Sequence, residues 1–278
     1  MPEWSRNTPW RQGQLLPAEA VASIGLSHPE SPAETLVIVA THDCDLSQLP
    51  DREPLIEVVV GRKVQKLEGN FTHAKSSRTL HMELESNGPL LAEFSSIDKR
   101  SIPKNVLVNY EPESNTRISP TVKATFQMWL ASRYRRSAFP DEFENRLKEA
   151  KLHEKISKTV KPHGNMITAV FFDLDEGREV ARTEPDDVYS LDIILLFATE
   201  PDFDAAAKAA DSAKDAINQA FKAKLQDPLS GNWKYIELRY IDIISEEALS
   251  YRQAKVWKKW SLDYISLGAD PQQPVLAE

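Results

Sequence analysis

Six consecutive positions, Thr35-Leu36-Val37-Ile38-Val39-Ala40, are almost entirely β-branched or aliphatic, and Thr41-His42-Asp43-Cys44-Asp45 follows at once. The run is too short for a buried helix and rich enough in Val and Ile to predict a buried strand. A buried strand requires a sheet with a covered face, which rules out an all-helical bundle. The polar cluster then falls at the carboxyl end of that strand, where sheet proteins tend to keep their sites.

Further strands follow from the same pattern. Residues 55–61 form a second apolar run with one acid, Glu57, inside it. Thr79-Leu80-His81-Met82-Glu83-Leu84 alternates as a half-buried strand should, and Asn87-Gly88 joins it to a strand over 89–94. The proline-rich lead-in, 1–33, is expected to pack across the sheet with Trp10 as its anchor. Arg11 and Gln12 lining the site is the functional alternative. A helix is expected over 125–136, capped by Ser119 or Thr121, with Phe126, Trp129, Leu130 and Tyr134 as a core stripe and Arg133, Arg135 and Arg136 as a basic end. Another helix runs from Pro140 through Leu147 and Leu152. The last third reads as strands over 166–174, 188–198 and 233–244, an Ala-rich helix capped by Asp202 or Asp204, and a final helix over 246–263.

This order predicts an α+β fold with a strand-rich N-terminal part, a helical middle and a C-terminal mixed or antiparallel sheet with helices on one face. The expected divisions are 1–118, 119–161, 162–268 and a tail, 269–278.

Composition removes several classes. One cysteine excludes an intramolecular disulfide framework and a cysteine-based zinc ribbon. No apolar run approaches the roughly 20 residues of a membrane span, and the start lacks the basic and apolar regions of a signal peptide, so a cytosolic protein without a membrane partner is expected. A formal net charge of -8 argues against a general nucleic-acid coat but is compatible with a local basic groove or an acidic metal site.

If Thr41–Asp45 stays extended, Asp43 and Asp45 share one side and His42 and Cys44 the other. Asp43, Asp45 and Glu57 would then hold Mg²⁺ or Mn²⁺, with Lys63 in the catalytic set and Lys75, Arg78 and His73 contacting the substrate phosphate. Acids on adjacent strands with a nearby lysine are the arrangement of metal-dependent nucleases. The acid, any residue, Lys motif of the restriction-endonuclease class is absent after Glu57. Two other chemistries fit the residue types. Cys44 is a candidate nucleophile with His73 or His81 as base and Asp45 orienting it. His42, Cys44, His73 and an acid are a candidate zinc set. In the purely structural reading, Asp43 and Asp45 cap backbone amides and His42 bonds across the turn.

Thr41-His42-Asp43-Cys44-Asp45-Leu46, Gly61-Arg62-Lys63, Ser77-Arg78-Thr79-Leu80-His81 and Trp129-Leu130-Ala131-Ser132-Arg133-Tyr134 together resemble a group of uncharacterised bacterial proteins found around mobile elements and restriction or phage-defence genes. The resemblance spans most of the chain and implies a nucleic-acid-directed defence role, without an activity, cofactor or catalytic residue. The expectation is therefore a nuclease-like, metal-dependent phosphodiester hydrolase of bacterial defence. Its competitor is a non-catalytic sensor or adaptor that binds a protein partner.

Overall fold

The computed structural model describes residues 3–132, 134, 139–178, 180, 182, 184 and 187–260. Arg133, Arg135 and Arg136, expected as a basic helix end, and the tail lie outside the described residues. The fold is α+β, as the order of patterns predicts. The chain divides into two units. Of the described residues, the first takes those up to Leu67 together with Ser77–Tyr134, and the second takes Glu68–Ser76 together with those from Phe139 to Trp260.

The first unit contains α1 (Ala18–Ser23), β1 (Thr35–Val39), α2 (Asp43–Leu46), β2 (Leu55–Lys63), β3 (Thr79–Glu85), β4 (Pro89–Pro103) and α3 (Pro120–Ser132). Its strands form one antiparallel sheet in the order β1-β2-β4-β3. Alternation sends Val37, Val39, Ile56, Val58, Val60 and Ile102 to one face, where the lead-in covers them. Trp10 is the anchor expected there, at 1% exposure. On the other face Phe94 meets Phe126 of α3 at 6.4 Å, and Phe126 stacks on Trp129. Gly61 permits this, since a Cβ there would strike the Phe94 ring. Ser119 caps α3, its hydroxyl accepting from the Val122 amide.

The second unit contains α4 (Asp141–Glu149), α5 (Leu152–Val160), β5 (Ile167–Leu174), β6 (Tyr189–Phe197), α6 (Phe203–Leu225), β7 (Ile236–Ser245), α7 (Tyr251–Val256) and β8 (Lys258–Lys259). The sheet is mixed, in the order β7-β6-β5-β8, with β6 and β7 parallel across the α6 connection. Residues of α4, α5 and α6 pack with Phe172, Tyr189 and Ile193 in one core. Asp202 caps α6 through the Ala205 amide.

Three expectations change. The single helix from Pro140 through Leu152 is two, because Lys151 adopts a left-handed backbone (φ 55°) between them. The helix expected over 246–263 shrinks to α7, started by the Ser250–Gln253 capping box. It stops there because two tryptophans are recruited to the sheet: Trp257 lies against Phe171, and Trp260 stacks on Phe172 at 5.1 Å. Residues 261–263 of that expected helix lie outside the described residues. The helical stretch 119–161 is not one segment either, since α3 belongs to the first unit and α4 and α5 to the second.

Candidate functional site

The end of β1 organises the site. Ala40 and Thr41 both donate their amides to the Glu57 carbonyl, and the Thr41 hydroxyl accepts from the Glu57 amide at 2.6 Å. His42 then caps a single helical turn, its Nδ1 accepting from the Cys44 amide at 3.2 Å. In neutral His42 the ring proton therefore sits on Nε2. Asp43–Leu46 is helical, not extended, so Asp43 and Asp45 do not share the side that the paired-carboxylate expectation needs.

Asp43 is drawn away from Asp45 by groups far off in sequence. One oxygen accepts from the Gln12 amide at 2.7 Å and the other from Lys123 Nζ at 3.1 Å. Burial works against its ionisation, but the Gln12 amide and Lys123 outweigh it and hold the carboxyl below its ordinary value. The buried Gln12 side chain donates to the Ala40 carbonyl and accepts from Gln127, each at 2.7 Å, which ties the strand end to α3.

Beneath α2 lies Lys104, fully buried. Its Nζ donates to the carbonyls of Asp45 at 2.6 Å and Gln48 at 2.8 Å and sits 5.5 Å above the Trp4 ring. Trp4 Nε1 donates to the Leu46 carbonyl. The orphan carbonyls of this short helix are thus answered by two long side chains. Burial lowers the pKa of Lys104, and Glu53 and Asp45 partly offset this through space.

The fourth feature is a distortion in β4. Val59 stands opposite Lys99 and Gly61 opposite Phe94, so residues 95–98 face Val60 alone. Arg100 holds this bulge by donating to the Ile97 and Lys99 carbonyls at 3.0 and 2.9 Å, with Asp98 at 3.4 Å. Bulges of this kind re-aim side chains beside sites. Between the bulge, the open sheet around Leu55 and Glu57, the His42 turn and the last turn of α3 lies an open cleft of 1410 Å³.

Asp45 and Glu57 both line this cleft, and Glu57 is paired with Lys99 at 2.8 Å. Lys63 does not line it; it lies at the other end of β2, about 20 Å along the strand. Arg78 precedes β3, its carbonyl accepting from the Ser96 amide. His73 and Lys75 belong to the second unit. There the Lys75 ammonium is buried and donates to Thr72, Gly164 and Ile167. Its pKa is driven well below the usual lysine range by burial and by Lys259. Burial and the same two lysines push His73 down to about 3. Lys259, which donates to the His73 and Ala74 carbonyls, is lowered by burial to about 8.

The other candidate sets are also dispersed. Cys44 is exposed beyond β1, whereas His81 lies on β3 at the far edge of the sheet, buried and bonded to Glu93 at 2.8 Å. Glu93 in turn takes Arg62. Among the described residues no three His, Cys, Asp or Glu side chains converge to hold a metal ion.

Sequence reasoning weighed Gln12 for the cleft but missed Glu53, Lys99 and Ile97 as lining residues. It also set Tyr134 in the core stripe, whereas α3 ends at Ser132 and Tyr134 is 79% exposed at the cleft mouth. No family model, curated protein or solved structure matches this chain, so the cleft itself is the starting point for its function.

Proposed function

We propose that the first unit is a recognition module and that the chain serves as a non-catalytic sensor or adaptor, taking a segment of a protein partner into the cleft. The observation that carries this reading is the engagement of Asp43: the acid at the head of the expected metal set has one oxygen on a backbone amide and the other on Lys123. The cleft cations are engaged as well, Lys99 by Glu57 and Arg100 by bulge carbonyls. Leu55 and Ile97, each 43% exposed, and Tyr134 line the same cleft. Large apolar side chains beside charged groups are the surface a polypeptide covers. At 1410 Å³ the space also exceeds the roughly 300–1,000 Å³ of small-molecule sites. Bacterial defence, the setting implied by the resemblance, belongs to the same proposal.

The test is direct. The protein is incubated with single- and double-stranded DNA and RNA in Mg²⁺ or Mn²⁺. No cleavage above the level of heat-inactivated protein is expected. Metal-dependent cleavage that disappears in folded Asp45→Ala overturns the recognition reading in favour of the hydrolase, which draws on Asp45 and Glu57 sharing one cleft.

A further inference from the structure

Resting on the recognition reading, we infer that the segment this cleft takes is basic and amphipathic, with Asp45 and Glu53 receiving its cations. The charges already matched leave a clear remainder. Glu57 is paired with Lys99, and Asp98 with Arg100. Arg100 also donates to two carbonyls of its own bulge, so among the described residues both cleft cations, Lys99 and Arg100, already have partners. Asp45 and Glu53, by contrast, make no side-chain hydrogen bond or ion pair among the described residues.

Lys104 does not answer them. Its ammonium is buried and donates to main-chain carbonyls, so it influences the two carboxylates only through space. Two unpaired carboxylates therefore stand in the same cleft as Leu55, Ile97 and Tyr134. A phosphate-bearing strand entering here would meet repulsion from both acids and cations that must first break existing bonds. A segment carrying Lys or Arg beside aliphatic or aromatic residues meets neither cost, and it covers the exposed apolar groups.

The experiment measures fluorescence anisotropy of three labelled probes of about a dozen units against the full chain. They are a lysine–leucine peptide, a glutamate–leucine peptide and an oligothymidine. Saturable, salt-sensitive binding of the lysine–leucine peptide alone is expected. Asp45→Asn combined with Glu53→Gln should weaken it by at least about tenfold. Leu55→Ser, at an exposed position, should weaken it separately while leaving the melting curve intact, which guards against a folding artefact. Equal affinity in both variants overturns the inference, as does the absence of saturable binding. Tighter binding of the acidic peptide or the oligothymidine, lost in Leu55→Ser, overturns the basic occupant while keeping the cleft as a recognition site. Cleavage of the oligothymidine in Mg²⁺ overturns both.

Discussion

Replacing Lys104 with methionine tests whether the His42–Leu46 turn is held from below. The stem is fully buried and methionine fills nearly its volume, so the change removes the ammonium and little packing. Two carbonyls, those of Asp45 and Gln48, lose charge-assisted partners at 2.6 and 2.8 Å. Leaving such a group unpaired costs about 1–3 kcal/mol. Against this stands relief from burying a cation, which already lowers the Lys104 pKa. The net expectation is a loss of about 2–3 kcal/mol, or roughly 10 °C in the melting midpoint of the first unit. Circular dichroism melts give the stability change, and hydrogen exchange locates it, with faster exchange at Ser47 and Gln48 whose amides close the α2 turn. A loss below about 0.5 kcal/mol, within the range of neutral surface changes, refutes the reasoning. So does a full loss without faster exchange there, because the turn would then not depend on Lys104.

Two further predictions concern the second unit. His73 has a folded pKa of about 3 against an ordinary 6.5, so within that window the unfolded chain binds a proton that the folded chain does not. Its stability contribution is therefore complete above about pH 6.5 and falls as pH drops, by about 2–3 kcal/mol at pH 4 after allowance for partial exposure. Urea titrations of wild type and His73→Gln across that range check this; parallel losses in both would sink it. A methyl at Gly164 would run into the Gly69 backbone, so Gly164→Ala is expected to cost about 1–3 kcal/mol or more in thermal melts. An unchanged midpoint contradicts that close approach.

Strands were legible in the sequence because short runs of Val, Ile and Leu announce them without help from distant residues, as at β1 and β2. The candidate site was legible only in part. His42 to Asp45 marks the right strand end, but Gln12 and Lys123, far off in the chain, decide where Asp43 points. An extended or a helical turn fits the local residues equally well until those partners are known. Glu57 in a strand carried no sign that Lys99 would lie beside it, since that pairing depends on the register between β2 and β4. The C-terminal helix failed for the same reason: helical spacing was present, yet Trp257 and Trp260 meet Phe171 and Phe172, partners far off in the chain. The division of the chain was hidden because Glu68–Ser76 finds its partners about 90 residues later, at Ser157, Gly164 and Ile167.

That short segment also governs how the gene can be cut. Among the described residues the backbone passes from one unit to the other after Leu67, after Ser76 and after Tyr134, so neither unit is one continuous stretch of the chain. A product ending at Tyr134 retains Lys75 but not Gly164 and Ile167, whose carbonyls hold its ammonium. A cation stripped of such acceptors must reach water, which unravels the segment around it. Frameshift, early termination or recombination in the middle of the gene therefore yields an open fragment for proteases to clear.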